Sequence, residues 1–347
     1  MAGIFTISLD FELHWGVFDK RDRQAREANY KNTLRTAVPK MLELFTKYNV
    51  HVTWATVGSL FAKNEQEWQQ FRPAIEPDYE TERYNAYKWV RQHGMPEEYN
   101  WAHFAPEEVA MILKYPGQEL ATHTFSHYYC LETQREKLAF DADLKAAQKA
   151  AAKFNTSVRS LVFPRNQVNP ALLKTCLENG ITSVRSNPSG WFWKPVSDGG
   201  ATIVRRLFRT ADAYIQVGTI RTTYPLSAIT VTPGEPLQLP ASRFMRPWQP
   251  KYDFANKMQL RRLCQELRSA AVRGEVYHLW WHPENFGDYP EQNLKNLEVL
   301  LQRYKKYKEK YGMTSWNMGE YVDHFVGKQE GRPQVKKASN INYQISE

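Results

Sequence analysis

Two histidines four residues apart, His123 and His127, stand between a short strand pattern at Leu120 to Thr122 and a helical pattern from Glu132 to Phe154. One helical turn would bring both rings onto one face, where their nitrogens could share a divalent cation. Imidazole suits zinc, and also cobalt or nickel. Exposed or helix-capping histidines would have the same spacing. A second pair is acidic. From Ile4 to Leu13 the residues Phe5, Ile7, Leu9, Phe11 and Leu13 alternate with Thr6, Ser8, Asp10 and Glu12, the period of a strand. Asp10 and Glu12 therefore share a face at the strand's C-terminal end, where barrel enzymes build their sites. Arg165 follows Phe163-Pro164, and His282 follows a late apolar strand pattern in which it shares parity with His278 and Trp280. Singly these read equally well as solvated carboxylates, a surface arginine and, for His278, a core imidazole. Their repeated placement at one end of successive strands is the argument for a site.

The elements that must carry these residues alternate. After the first strand come a helix pattern from about Asn29 to Tyr48 and a strand from His51 to Gly58, a βαβ rhythm that favours a parallel sheet. Residues 63 to 105 are polar and aromatic with scattered Pro and Gly, and read as an insertion with short helices at the rim of the site. Beyond His127 the alternation resumes with strands at Val158 to Phe163 and Ile181 to Val184 around a helix from Pro170 to Asn179. The segment from Ser186 to Pro250 is irregular, with one strand expected near Tyr214 to Thr219. A helix from Phe254 to Arg273, the strand from Glu275 to Trp281, a helix from Gln292 to Tyr311 and a strand from Met313 to Trp316 complete the pattern. A single barrel domain over residues 1–327, with a polar and mobile tail over 328–347, is the simplest organisation.

Composition bounds the function. The 347 residues are 42% hydrophobic and 14% aromatic, enough to bury a core, which excludes a disordered or fibrous chain. Cys130, Cys176 and Cys264 are odd in number and widely spaced, so neither a disulfide framework nor a zinc ribbon is expected and a reducing compartment fits. No leader pattern opens the chain and no run approaches ~18 apolar residues, so a cytoplasmic protein without a membrane span is expected. A net charge of +9 points to an anionic partner, and it would suit the inner membrane surface. The basic run at Arg303 to Lys310 lies in an amphipathic helix pattern and reads as a solvated face, not a nucleic-acid patch.

The ordered motifs resemble those of the polysaccharide deacetylases, the NodB-homology carbohydrate esterases. Ser8-Leu9-Asp10-Phe11-Glu12 is similar to the family's first motif and His123-Thr124-Phe125-Ser126-His127 to its second. Phe163-Pro164-Arg165-Asn166-Gln167 is similar to the third and Leu279-Trp280-Trp281-His282-Pro283 to the last. Val52 to Gly58 resembles the family's second strand, and the resemblance runs over roughly residues 3 to 325. It implies a distorted (β/α)7-type barrel and metal-dependent removal of an acyl group, N-acetyl before ester, from a sugar in a bacterial surface glycan or its precursor. Acylated glycan, lipid-linked sugar and sugar nucleotide are the implied substrate classes.

The same resemblance implies that Glu12, His123 and His127 hold the metal, zinc first with cobalt or nickel as alternatives. Asp10 would be the general base and His282 the acid, with the roles of Asp10 and Glu12 open to exchange. Most members carry two adjacent aspartates, whereas Phe11 stands in the adjacent position here; Asp-x-Glu on one strand face supplies both carboxylates instead. Arg165 is expected to fix Asp10 by a charge-assisted hydrogen bond, and Asp212 to be the acidic partner of His282, with a solvated loop aspartate as its other reading. Trp191, Trp193, Trp280 and Trp281 could form a sugar-stacking wall or belong to the core. A glycan-binding barrel that has lost its metal is the non-enzymatic alternative. A barrel glycosidase is the further one, although two carboxylates on one strand are poorly placed to flank a bond.

Overall fold

A computed structural model of the chain describes residues 2–329, except 134, 135, 189, 198, 199, 201, 216–221 and 230. Its strands are β1 (Ile4–Phe11), β2 (Val52–Thr56), β3 (Gln118–Thr122), β4 (Ser160–Val162), β5 (Ser183–Ser186), β6 (Tyr224–Pro225), β7 (Leu237–Pro240), β8 (Arg243–Phe244), β9 (Glu275–Trp281) and β10 (Thr314–Ser315). The order β9-β1-β2-β3-β4-β5-β7 is parallel throughout. From β7 to β8 the chain then switches from pairing with β5 to pairing with β9 within a few residues. Ala241 N donates to Ser186 O, Ser242 N to His278 O, and β8 continues in parallel with β9. One kinked strand thus closes the sheet on itself, giving the distorted (β/α) barrel.

β1 explains why the barrel sorts its residues as it does. Its Phe5, Ile7, Leu9 and Phe11 point outward into the main core with Met41, Leu42 and Phe45 of the helix Val38–Tyr48. Thr6, Ser8 and Asp10 point inward. The N-terminal end of the interior is closed by the helix Met318–Gln329: Met318 N donates to Thr53 Oγ1 at 2.7 Å, Gly319 N to Glu119 Oε2 at 3.0 Å, and Tyr321 Oη meets Thr6 Oγ1 at 2.6 Å. Only the C-terminal end of the strands is left for a cleft.

Several expectations need adjusting. The one strand expected in the middle segment, near Tyr214 to Thr219, is not seen in the part of it that the structure describes. Tyr214 and Ile215 lie in a turn after the helix Ile203–Ala211, the rest of that proposed strand lies outside the described residues, and the pairing segment is instead Leu237 to Phe244. Residues 63 to 105 do hold short helices, Glu65–Phe71, Ala86–His93 and Asn100–His103. They do not line the cleft. Trp68 stacks between Trp15 and Phe125 at 6.0 and 6.1 Å, and Tyr79 Oη accepts from Tyr129 N at 2.9 Å, so the insertion buttresses the loops that carry the site. Residues 330–347, most of the expected tail, lie outside the described residues.

Candidate active site

Glu12 is the centre of the cluster. It leaves β1 just before a turn in which Leu13 takes a φ of 48°, and both backbone N–H groups of that turn, Glu12 N (2.7 Å) and Leu13 N, donate to Glu284 Oε1. Its own carboxylate reaches three rings. Oε1 lies 2.9 Å from His123 Nε2 and 3.4 Å from His127 Nε2, and Oε2 lies 3.3 Å from His282 Nδ1. Room for that carboxylate comes from Gly16, where an added Cβ would sit 2.7 Å from Glu12 Cδ and closer still to Oε2.

His123 and His127 converge by a route other than the expected helical turn. They sit on a loop after β3 in which Thr124 (φ 63°) and His127 (φ 57°) are left-handed, and their ring centroids are 5.2 Å apart. The loop is held by backbone and by one acid. His123 N donates to Thr56 O, Gly58 N to Thr124 O and Ser59 N to Phe125 O. Asp143, on the helix Glu136–Ala152, accepts from Phe125 N at 2.6 Å, Ser126 N at 3.1 Å and Ser126 Oγ at 2.5 Å. Gly58 allows the close approach, since a Cβ there would stand 2.9 Å from the Phe125 ring.

The electrostatics set an acid-base pair, Glu12 with His282, apart from a neutral ring, His127. Burial opposes charge on Glu12, but His282, His127 and His123 outweigh it and hold its carboxyl well below the usual carboxylate range. Burial likewise opposes charge on His282, yet Glu12 above all, then Asp10 and Glu284, push it up to about 9. Burial pushes His127 down to about 4 against the pull of Glu12. Glu12 with His282 is therefore the ion pair, and His127 offers a lone pair. The fit to a cation is good: His123 Nε2 is buried beside Glu12 Oε1 without a well-directed hydrogen bond, and Nδ1 of both rings is buried without a partner. Glu12, His123 and His127 bring one carboxylate oxygen and two imidazole nitrogens within 4.8 Å of one another. That two-nitrogen, one-oxygen donor set matches catalytic zinc sites, which keep a further position open. Asp10, Glu12 and His282 form an overlapping group.

Asp10 is held, but not by Arg165. Arg185 of β5 lays Nη1 on Asp10 Oδ1 at 2.6 Å and Nη2 on Oδ2 at 2.7 Å, with Nη1 also on Ser8 Oγ at 3.0 Å. Arg165, turned by left-handed φ values at itself (54°) and Asn166 (53°), donates instead to both oxygens of Asp19 at 2.8 and 2.9 Å. It still borders the cleft. Asp212 is likewise elsewhere, 3.2 Å from Arg243 Nη1 and accepting from Trp193 Nε1 at 3.2 Å, so the acid beside His282 is Glu12. His278 is the core imidazole expected, its Nε2 2.9 Å from Ser8 Oγ.

The cleft of about 560 Å³ is bordered by Asp10, Glu12, His127 and His282, and by Tyr30, Phe244 and Glu284, which sequence reasoning missed. None of the four candidate tryptophans borders it. Trp281 packs in the outer core between Phe45 and Phe286, and Trp280 lies inside the barrel under the Arg185 guanidinium at 4.3 Å. Trp191 and Trp193 sit with Phe192, Phe208 and Arg209 beyond β5. Phe244, 5.9 Å from the His282 ring, and Tyr30 are the aromatic side chains that border it. Arg185 and Asp143 were also missed, although an acid at i+3 from Phe140 within the apolar stripe of its helix was a legible signal.

Residues 18–184 match the family model described as polysaccharide deacetylase. That stretch contains His123, His127 and Arg165 and starts after Asp10 and Glu12. No curated protein matches the chain in sequence. Among solved structures, a polysaccharide deacetylase candidate from Mycobacterium smegmatis is 11% identical with a TM-score of 0.58, over 98% of this chain and 96% of that one. Puue allantoinase is 10% identical with a TM-score of 0.54, over 93% and 90%. A 4-alpha-glucanotransferase from Thermococcus litoralis is 14% identical with a TM-score of 0.51, over 94% of this chain and 41% of that one. At such identities the likeness is one of fold. Residues 18–184 are thus similar in sequence to the polysaccharide deacetylase family model, and the chain as a whole shares its fold with the Mycobacterium smegmatis protein.

Proposed function

We propose that the protein is a metal-dependent hydrolase that removes an acyl group, N-acetyl in the first instance, from a sugar of a bacterial surface glycan or its precursor. The observation that carries this reading is the convergence of His123 Nε2, His127 Nε2 and His282 Nδ1 on the two oxygens of Glu12, beside Asp10. Glu12, His123 and His127 would hold the cation, with zinc the first choice. When bound there, a divalent cation supplies Lewis-acid polarisation of the acyl carbonyl and of water.

The chain's own residues would do the rest. Asp10, oriented by Arg185, takes a proton from the attacking water as its oxygen bonds to the acyl carbon. His282, carried as imidazolium by its neighbouring carboxylates, gives a proton to the sugar nitrogen as the C–N bond breaks, leaving a carboxylic acid and a free amine. Phe244 offers an apolar face for a pyranose ring. Because Glu12 is the group between the imidazoles and Asp10 the one on the arginine, the unexchanged assignment of base and ligand is favoured. The positive charge supports work on an anionic lipid-linked or nucleotide-linked sugar at the inner face of a membrane.

Acetate release from a panel of N-acetylated and O-acetylated oligosaccharides and sugar nucleotides, with and without chelator, tests the reading. Release that stops on chelation and returns with zinc is expected. A rate indifferent to chelation would sink the metal assignment, and absence of bound zinc with sugar binding intact would favour the glycan-binding alternative.

A further inference from the structure

The helix Ile203–Ala211 is mounted inside out. A surface helix ordinarily turns its apolar stripe to the core and its charges to water. Here Ile203 (76% exposed), Val204 (53%), Leu207 (63%) and Phe208 (37%) face outward, continuing into Trp191 (47%). At 100° per residue these positions form one stripe, and Arg205, Arg206 and Arg209 form the opposite one. Arg209 is turned onto the protein body, donating to Phe192 O at 2.6 Å and lying over the Trp193 ring at 5.3 Å, which holds the helix in this orientation. Among the described residues none of the three arginines has an ion-pair partner, so the helix carries uncompensated positive charge behind an exposed apolar face.

Its location matters as much as its polarity. The segment follows the C-terminal end of β5, the end at which the cleft opens. Asn187 Nδ2 ties it to Asn166 O at 3.0 Å and to Trp193 O at 2.7 Å, and Asn166 borders the cleft. Arg246 Nη2, next to the cleft residue Pro247, donates to Thr210 Oγ1 at 3.2 Å.

We propose that this helix docks the protein on an anionic lipid surface, inserting Ile203, Val204, Leu207 and Phe208 among the acyl chains while the exposed Arg206 meets headgroup phosphates. An amphipathic basic helix with an unpartnered apolar face is the interfacial type of anchor, and arginine charge complements anionic headgroups. Among the described residues no helix is long and apolar enough to cross a membrane, so the contact is peripheral. Docking at this end would bring the cleft mouth to the headgroup layer. The inference deepens the membrane-facing part of the reading above, and it is measured without reference to activity, so either can fail alone.

The test is co-sedimentation of the full chain with vesicles of phosphatidylcholine alone or mixed with phosphatidylglycerol. Binding to the mixed vesicles is expected, weakened about tenfold by I203E/L207E, and about fivefold by Arg206→Glu or by raising salt past ~0.5 M. Unchanged circular dichroism and zinc content would show that the variants still fold. Three results would overturn the proposal: no sedimentation with mixed vesicles, equal sedimentation with neutral ones, or a wild-type dimer that I203E/L207E splits without any change in vesicle binding.

Discussion

Arg185 and Asp10 meet as two flat groups edge to edge inside the barrel, with N–O distances of 2.6 and 2.7 Å and both side chains buried. The arginine is itself stacked on Trp280 at 4.3 Å. This geometry needs a guanidinium. A lysine can supply the charge but not the fork. We expect Arg185→Lys to lower kcat about a hundredfold with KM little changed, because a base misplaced by an ångström loses orders of magnitude in rate. Arg185→Ala should in addition destabilise the protein by about 3–5 kcal/mol, since it leaves a buried carboxylate alone. Arg165→Ala, which frees Asp19 instead, should leave the kcat of a small substrate within about tenfold. If Arg165→Ala proves the more damaging of the two in kinetics, Asp10 is not the base.

Zinc content is expected to follow Glu12, His123 and His127 individually. Purified wild-type protein should carry close to one equivalent, and Glu12→Gln, His123→Ala and His127→Ala should each lose it. His282→Ala should retain it, because the His282 ring meets the outer oxygen of Glu12 and not the two imidazoles. Metal analysis of the four variants decides the assignment without any substrate. Retention of zinc in Glu12→Gln with loss in Asp10→Asn would exchange the two carboxylates.

Gly16 gives a sharper version of the same test. Its backbone is not in the left-handed region, so alanine is conformationally acceptable, yet the new methyl group would occupy the place of the Glu12 carboxylate. Gly16→Ala should therefore unfold within about 1 kcal/mol of wild type in denaturant and still lose most of its zinc affinity. A variant that binds zinc normally would mean that Glu12 has another way to reach the imidazoles.

The barrel could be read in the sequence because β1, β2 and β9 are long enough to show their period, and the alternation on β1 put Asp10 and Glu12 together. The second motif picked out two histidines that do converge, but by a geometry other than the one expected. Four residues bring two side chains together on a helix, but left-handed Thr124 and His127 do it here on a loop, and positive φ at non-glycine residues leaves little trace in sequence. The same limit misplaced Arg165, whose own φ of 54° turns it to Asp19. Arg185 was missed because β5 runs two residues beyond the apolar pattern that marked it. The closing strand was missed because its two short halves pair with different neighbours and prolines flank them. A period cannot be seen in two or four residues.

Glu284 supports Glu12 from behind. It accepts the N–H groups of Glu12 and Leu13, and burial, then the charge of Glu12, push it up to about 7. Glu284→Ala should leave two N–H groups unpaired, costing about 1–3 kcal/mol of stability, and weaken zinc binding by ~10–100-fold, as loss of an outer partner does. Glu284→Gln keeps an acceptor oxygen and should recover most of both. Calorimetric zinc titration of the two variants distinguishes positioning of this kind from a purely structural role, in which the glutamine variant would lose stability and affinity alike.

Two buried histidines should withdraw stability as the medium becomes acid, against Glu284 and Asp143, whose carboxyls, pushed up to about 7 and about 6 by burial, take up protons in the folded chain over the same range. Burial, helped by Arg185, pushes His278 down to about 3, and burial with Arg23 pushes His14 down to about 4. An unfolded histidine titrates near 6.5. Both folded values lie below the unfolded one, so between about 6.5 and these values the unfolded chain binds protons that the folded chain refuses. The stability they contribute is complete above that range and is lost as pH falls through it, by up to ~1.4 kcal/mol per pH unit for each ring. Urea unfolding of the chelator-treated protein at pH 7.5 and 5.5 gives the net change in midpoint, from which a His278 variant separates the part that one ring contributes. His278→Gln, which keeps a hydrogen-bonding partner for Ser8, should have its midpoint lowered less than wild type, or raised more, on going to pH 5.5. An equal change in the two proteins would assign the acid sensitivity to other groups.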